Sequence, residues 1–202
     1  NGDPVDPTAV TITVADGSTV PAGLTFDPAT GSVSVDPNTP AGTYTFDYTI
    51  CEILNPTNCS TATATVTVDA APIVAVSESV TDINGATGAD DVLNALTGDT
   101  LNGVAVTTGT VSIAVAPGAT VPAGLTFDTV TGNVSVDPNT PAGDYSFDYQ
   151  ICELLNPTNC AIATETVTVI AAPITAVNDS VDSVNGTDGA PDVLNVLDGD
   201  TL

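Results

Sequence analysis

The sequence contains one forty-residue stretch twice. Residues 20–59 and 121–160 are identical at 33 of 40 positions, with a constant offset of 101 residues. The chain has 202 residues, twice that offset. Self-similarity at a fixed period is typical of repeat architectures, in which one structural unit recurs along the chain. We therefore expect two copies of one fold, and we call residues 1–101 the first repeat and residues 102–202 the second repeat.

The two ends of the chain continue the same period. Inside the chain, Asp99-Thr100-Leu101 runs into Asn102-Gly103, whereas the last residues are Asp200-Thr201-Leu202 and the first are Asn1-Gly2. This match predicts a two-repeat portion of a longer covalent array. The alternative is one subunit of a filament in which neighbouring subunits exchange strands.

Alternating side chains predict β-strands in both repeats. Apolar residues at 44, 46, 48 and 50 share one face, and the polar residues between them share the other. This period of two is typical of a half-buried strand in an antiparallel sheet. Residues 62–68 alternate Ala or Val with Thr, which predicts a partner strand whose small Ala side chains face Tyr and Phe. Residues 92–96 and, in the second repeat, 193–197 are further predicted strands.

Seven or eight short strands per repeat, separated by Pro, Gly and Asp turns, predict an all-β fold of tandem antiparallel Greek-key β-sandwich repeats. Ala-Ala-Pro segments at 70–72 and 171–173 are the predicted links between domains. We accordingly predict a partial repeat without its first strands at 1–70, a complete repeat at 71–173, and the first strands of the next repeat at 174–202.

The charge composition excludes several classes of partner. The chain carries 25 Asp plus Glu and no Lys, Arg or His. Nucleic acid and anionic membrane surfaces are excluded as partners because both would be repelled. Cations or a basic partner would be attracted. With only carboxylates, hydroxyls and thiols available, we predict that the chain is not an enzyme, although a carboxylate pair could hydrolyse a glycoside in principle.

The four cysteines occupy two equivalent frames. Cys51 and Cys59 recur as Cys152 and Cys160. Because neither a C-x-x-C spacing nor any His is present, we predict local disulfides Cys51–Cys59 and Cys152–Cys160 rather than a zinc site; free thiols are the alternative. Disulfides are typical of an oxidising compartment, so we predict a secreted or cell-surface location.

Acidic residues concentrate between the predicted domains, which makes Ca²⁺ at the junctions the main ligand hypothesis. Ca²⁺ binds six to eight oxygen ligands, several of them carboxylate. Diffuse counter-ions around solvated loops are the alternative interpretation. The candidate ligands are Glu78, Asp82, Asp90, Asp91, Asp99, Asp179, Asp182, Asp188, Asp192, Asp198 and Asp200.

Several motifs resemble one known family. Residues 23–31 (GLTFDPATG), 39–44 (TPAGTY) and 50–59 (ICEILNPTNC) resemble the tandem repeats of giant surface adhesins of gliding Bacteroidota, which are exported by type IX secretion. Residues 193–202 (VLNVLDGDTL) resemble the early strands of bacterial cadherin-like and immunoglobulin-like repeats. The resemblance implies an extracellular array of immunoglobulin-like or cadherin-like β-sandwiches.

Short Asp-Ser/Thr-apolar tripeptides resemble the O-glycosylation signal of the same bacterial group. The resemblance implies that their hydroxyl groups carry sugars, although so short a motif also arises by chance. The candidate positions are Thr100, Thr129, Ser180, Ser183 and Thr201.

These observations predict a structural repeat unit of an extracellular filament or cell-surface adhesin stalk. Its expected partners are neighbouring repeats or copies of itself along a fibre. The alternative is an adhesive module that binds glycans or a basic partner, with Ca²⁺ as a cofactor. The chain has no Trp, and all eight Tyr and Phe fall on predicted strands, so an aromatic binding platform is not expected.

Overall fold

The computed structural model describes residues 4–202. The regular elements of this part of the chain are β-strands and one 3₁₀ turn, Pro7–Ala9. The strands, in chain order, are β1 (Val10–Val14), β2 (Leu24–Asp27), β3 (Ser32–Val35), β4 (Gly42–Glu52), β5 (Cys59–Val68), β6 (Ile73–Val74), β7 (Glu78–Asn84), β8 (Ala89–Asn94), β9 (Thr100–Leu101), β10 (Val104–Ala105), β11 (Val111–Val115), β12 (Leu125–Phe127), β13 (Asn133–Val136), β14 (Gly143–Glu153) and β15 (Cys160–Ile170).

The hairpin of β4 and β5 is the longest element of the first repeat. Phe46 lies opposite Ala64, and Tyr48 lies opposite Ala62, as the alternation predicts. Cys51 and Cys59 face each other at the loop end and form a disulfide. Cys152 and Cys160 form the equivalent disulfide between β14 and β15. The structure therefore contains both of the predicted disulfides.

The sheets of the second repeat contain more strands than those of the first. In the first repeat, β1-β4-β5 and β2-β3 form one three-stranded and one two-stranded sheet. The equivalent sheets of the second repeat are β11-β14-β15-β7 and β12-β13-β8. Each has one additional strand, β7 or β8, and both of these strands come from residues 78–94 of the first repeat. A small sheet, β10-β9-β6, completes the architecture.

Nearly all strand pairs are antiparallel, and this confirms the predicted all-β class with antiparallel sheets. Within the described residues, β7 differs and runs parallel to β15, with Glu78 opposite Glu165. The sequence pattern did not predict this pair, because a period of two indicates a half-buried strand and not its direction relative to a distant partner.

The chain divides into two compact units. The first consists of the described part of Asn1–Val74 together with Thr100–Ser112 and Ile151–Ala161. Its buried apolar residues include Leu24 and Phe46. The second consists of Ala75–Asp99, Ile113–Gln150 and Ile162–Leu202. Its core includes Ala95, Val134 and Val167, which are fully buried. The domain bounds inferred from the repeat period differ from these units and stay a prediction.

The described residues include no helix that is long and apolar enough to cross a membrane.

Candidate functional site

An open apolar groove lies on the first repeat. It has a volume of about 560 Å³ and is formed by side chains of β1 to β5 and of the segment that precedes β1. Within residues 4–202, no strand pairs with the outer edge of β5 or with the free edge of β3. We call this surface the open groove. Its apolar lining includes Val10, Ile12, Phe26, Phe46, Ile50 and Val66.

The equivalent surface of the second repeat is buried. Val136 is 2% exposed, whereas Val35, at the equivalent position of the first repeat, is 47% exposed. Tyr149 is fully buried, whereas its equivalent, Tyr48, lies half-buried in the wall of the open groove. The two repeats have nearly the same sequence here, so the difference in exposure follows from the presence or lack of β7-like and β8-like strands.

Residues 174–202 contain the sequence equivalents of β7 and β8 but form no sheet within the described chain. Their single backbone pairing is a bridge between Thr175 and Thr201. We call these residues the C-terminal segment. Many of its apolar side chains are exposed, namely Ile174, Val177, Val181, Val184, Leu194 and Leu197.

A cluster of buried acidic residues lies where β7 meets β15 in the second unit. Glu165 and Asp99 are fully buried. The Asp99 carboxylate accepts hydrogen bonds from Val76 N at 2.7 Å and from the Tyr149 hydroxyl at 3.0 Å. Burial raises the pKa of Asp99, and these two hydrogen bonds act in the opposite direction.

Glu165 and Glu78 are neighbours on adjacent parallel strands. No donor among the described residues reaches the buried carboxylate oxygens of either side chain. Burial, and then the adjacent carboxyl group of Glu78, raise the pKa of Glu165 to about 9. Burial also raises the pKa of Glu78. Two adjacent buried carboxyl groups avoid charge repulsion when they share one proton, which then forms a hydrogen bond between them. This pair therefore holds a proton at neutral pH or requires a bound cation.

Tyr149 connects this cluster to the chain that precedes β7. Burial, followed by the Asp99 carboxylate, raises the pKa of Tyr149, so its hydroxyl keeps its proton. The hydroxyl oxygen lies 3.0 Å from both Asp99 carboxylate oxygens and 3.0 Å from Val76 O. These contacts hold residues 76–78 against β14.

The sequence patterns did not identify Glu165 or Tyr149 as members of a polar cluster. One signal was available for Glu165: it occupies the inward face of β15 between buried Ala163 and Val167, at the position where the first repeat has Ala64. A carboxylate on the apolar face of a strand is unusual and indicates a partner. Tyr149 gave no comparable signal, because core packing alone explains an aromatic residue in that pattern.

The disulfide loop of the second repeat makes contacts that its first-repeat equivalent does not make in the described chain. Asn156 accepts a hydrogen bond from Ala41 N at 2.7 Å. Asn159 donates hydrogen bonds to Ala71 O at 2.7 Å and to Glu153 at 2.8 Å. Asn58, the equivalent of Asn159, donates to Glu52. The loop between Cys152 and Cys160 thus fastens two preceding turns of the chain.

The structure brings together only some of the predicted calcium ligands. Glu78 and Asp99 belong to the buried cluster, Asp179 and Asp200 are half-buried, and the other seven candidates are exposed or lie in exposed loops. In the part of the chain that the structure describes, no group of three or more acidic residues is arranged as a metal site. Among residues 4–202, Glu78 and Glu165 have the unpaired buried oxygens that a cation would satisfy. The calcium assignment therefore stays a prediction.

The predicted glycosylation positions differ in accessibility. Thr129, Ser180, Ser183 and Thr201 are exposed, whereas Thr100 is half-buried in β9. These positions also remain predictions.

The chain matches no protein-family model and no characterised protein sequence. Its backbone is similar to that of cadherin extracellular domains in solved structures. Mouse cadherin-23 EC22-24 is 13% identical with a TM-score of 0.37, over 81% of this chain and 53% of that chain. Protocadherin gamma B2 domains 3-6 are 12% identical with a TM-score of 0.40, over 81% and 43%. Drosophila N-cadherin EC1-4 is 14% identical with a TM-score of 0.36, over 80% and 41%.

The chain spans about half or less of the length of these three structures. The fold class rests on the sheets themselves.

Proposed function

We propose that this chain is a structural repeat unit of an extracellular filament or of a cell-surface adhesin stalk. The observation that carries the proposal is that residues 78–94 supply strands to the sheets of the following repeat. When each domain contains strands from two successive sequence repeats, neighbouring repeats are linked through the sheets that they share. Such linkage suits a protein whose role is to span a distance.

Composition and crosslinks support this role. Both disulfides close the loop ends of long hairpins, and an oxidising environment outside the cell preserves them. A net charge of −25 keeps parallel chains apart and soluble, with a reach of about 8 Å at physiological ionic strength. The acidic surface is spread over both repeats, with 13 acids in residues 1–101 and 12 in residues 102–202.

Immunoelectron microscopy of the source cells tests the proposal. An antibody raised against the 202-residue chain should label extended threads outside the cell surface, at intervals set by the repeat. Label confined to the cell interior, or spread over compact surface particles, would contradict a stalk or filament role. Preabsorption of the antibody with the purified chain is the control.

A calcium-dependent adhesive module for glycans or a basic partner is the second candidate. The unpaired buried oxygens of Glu78 and Glu165 favour it, because a cation bound there would neutralise both carboxylates. These two residues supply at most four oxygens, so water or neighbouring groups would complete the shell.

Thermal unfolding with 2 mM CaCl₂ or with a chelator separates the two candidates. Bound Ca²⁺ stabilises the folded chain by mass action, which would raise Tm. Equal melting curves in the two buffers would contradict calcium binding and would leave the proposed structural role unaffected. Glu165→Gln is the matched variant, because it retains the shape of the side chain but loses the ligand charge.

A further inference from the structure

We infer that Asn102 is a site of spontaneous covalent modification, at which the side-chain amide is lost and the residue becomes aspartate or isoaspartate. The co-reactant is water, and the attacking atom is the backbone nitrogen of Gly103. The inference is independent of the proposed function, because it rests on a single turn enclosed by the paired strands β9 and β10.

The Asn-Gly dipeptide supplies the chemistry. Asn is a chemically labile side chain, and a following Gly has no Cβ to hinder the approach of its nitrogen to the Asn amide carbon. The sequence contains four Asn-Gly pairs, which begin at Asn1, Asn84, Asn102 and Asn185. Asn84 ends β7, and Asn102 follows β9. Because both have the same following residue, the structure around each pair decides which one reacts.

The Asn102–Gly103 pair forms an exposed two-residue turn. Leu101 pairs with Val104 across it, and Asn102 and Gly103 have φ values of 54° and 73°. Positive φ at both central residues is typical of the type I′ hairpin turn. Both residues are exposed, and a Cβ added at Gly103 would have nothing within 4 Å. Solvent therefore reaches the Gly103 nitrogen, and the space around it leaves room for ring closure.

The turn opens readily because its hairpin is short. β9 and β10 contain two residues each, so two residue pairs close the hairpin. Within the described residues, β10 lies at the edge of its sheet, and Val104 is 68% exposed. Short edge strands with few buried contacts open locally at a low free energy. Such opening lets the Asn102 backbone rotate until the Gly103 nitrogen faces Cγ of Asn102.

The Asn84–Gly85 pair is held in place instead. Gly85 is buried, its N–H donates to Ile170 O at 3.1 Å, and its carbonyl oxygen accepts from Thr140 N at 2.9 Å. A Cβ at Gly85 would collide with the Thr140 carbonyl oxygen. The Asn84 side-chain oxygen accepts a hydrogen bond from Ala86 N at 2.9 Å. Both the attacking nitrogen and the amide that it would attack are therefore fixed in this pair.

The reaction needs only water. The Gly103 nitrogen loses its proton and attacks Cγ of Asn102, and the new C–N bond closes a five-membered succinimide ring. The Cγ–Nδ2 bond breaks, and the side-chain nitrogen takes up the proton and leaves as ammonia. Water then adds to one of the two ring carbonyl carbons and breaks the bond from that carbon to the Gly103 nitrogen, which regains a proton. Addition at Cγ gives aspartate, whereas addition at the backbone carbonyl carbon gives isoaspartate.

Each product changes the turn. Aspartate adds one negative charge to a chain whose formal charge is −25. Isoaspartate places one additional carbon in the backbone, which the geometry of a two-residue type I′ turn does not accommodate. Isoaspartate should therefore separate Leu101 from Val104 and release β10 from the small sheet β10-β9-β6.

Peptide mapping of the full 202-residue chain during storage at neutral pH is the test. Mass spectrometry of the digested chain gives the deamidated fraction at each Asn. We expect Asn102 to lose its amide at least about tenfold faster than Asn84, because Asn102 requires only the opening of a short hairpin. Enzymatic methylation of isoaspartate should label the peptide that contains Asn102. Storage in urea is the control, since unfolding should bring the two rates together.

Asn102→Gln is the matched variant, because it keeps a side-chain amide but would have to close a larger ring, which forms more slowly. It should remove the methylation label from this peptide and leave the rate at Asn84 unchanged. Equal rates at Asn102 and Asn84 in the folded chain would overturn the inference. A rate ratio that persists unchanged in urea would also overturn it, because the local sequence and not the fold would then set the ratio.

Discussion

Glu165 is the residue at which the two repeats differ most in chemistry. The first repeat has Ala64 at this position of the strand, and the second has a fully buried carboxyl group beside Glu78. The raised pKa of Glu165, about 9, means that the folded chain retains a proton that the unfolded chain releases above pH about 4.5. The free energy of unfolding therefore falls as pH rises between these two values. The raised pKa values of Glu78 and Asp99 act in the same direction.

The Glu165→Gln variant should lose most of this dependence. Its Tm should exceed that of the wild-type chain at pH 8 by at least about 3 °C, since Gln has no proton to lose. Melting curves between pH 5 and pH 9 provide the measurement. Glu52→Gln is the control, because hydrogen bonds from Asn58 and Asn55 lower the pKa of Glu52 and remove it from this window. Parallel pH profiles for wild type and Glu165→Gln would show that the pair is not buried in its neutral form.

Tyr149→Phe tests the hydroxyl group that links β14 to the chain before β7. Removing it leaves the buried Asp99 carboxylate with one donor fewer, which should cost about 1–3 kcal/mol in the free energy of unfolding. Tyr48→Phe should cost much less, because Tyr48 is half-buried in the wall of the open groove, where water can reach it. Urea unfolding of both variants gives the comparison, and equal losses would contradict the role assigned to Asp99.

At the scale of elements, the hairpin of β4 and β5 was predictable and its neighbours were not. Alternation identified both strands, and the paired Cys51 and Cys59 identified their loop end. The parallel contact between β7 and β15 joins residues almost ninety positions apart, and no local pattern encodes such a pairing. The strand predicted at 92–96 was confirmed for residues 92–94, which belong to β8. The strand predicted at 193–197 was wrong, because these residues form no strand in the structure.

The calcium and glycosylation predictions followed residue type and spacing, which do not show burial. Most of the candidate acids are exposed in the structure, whereas Glu165, which was not among the candidates, has two buried oxygens without donors. The sequence identified the acidic region, but it did not identify Glu165, whose buried carboxylate oxygens lack hydrogen-bond donors.

The disulfide loop of the second repeat gives a test at this scale. Asn156→Ala removes the acceptor for Ala41 N and should lower Tm by about 2–4 °C, as expected for one lost hydrogen bond of about 1 kcal/mol. Asn55→Ala, at the equivalent exposed position of the first repeat, should leave Tm within about 1 °C of wild type. Differential scanning calorimetry measures both, and equal shifts would show that the loop contact adds nothing to stability.

Reduction of the disulfides belongs to the same scale. Each closes a loop with a sequence separation of 8 residues. Loss of one such crosslink should lower the free energy of unfolding by about 2–3 kcal/mol in the chain-entropy model. Urea unfolding of the chain with and without a reductant measures the change, with mass analysis after alkylation to count free thiols. An unchanged unfolding midpoint after complete reduction would contradict a stabilising role.

At the scale of the whole molecule, the sequence period and the sheet composition support one account. The two sheets of the second repeat each contain one strand from the first repeat, β7 in one sheet and β8 in the other. Each shared sheet thus contains strands from two successive repeats, as expected for a repeat architecture in which each unit contacts its neighbour.

Site-directed disulfide crosslinking tests this account most directly. Val80→Cys and Val167→Cys in one chain place the two thiols opposite each other only if β7 lies in parallel register beside β15. Neighbouring strands lie about 4.8 Å apart, which a disulfide can bridge. The account predicts an internal crosslink between these two positions under mild oxidation, detected by mass analysis of the digested chain. Val80→Cys with Thr166→Cys, one residue out of register, should give almost none. Equal crosslinking in the two variants, or none in the first, would contradict the sheet shared between the repeats.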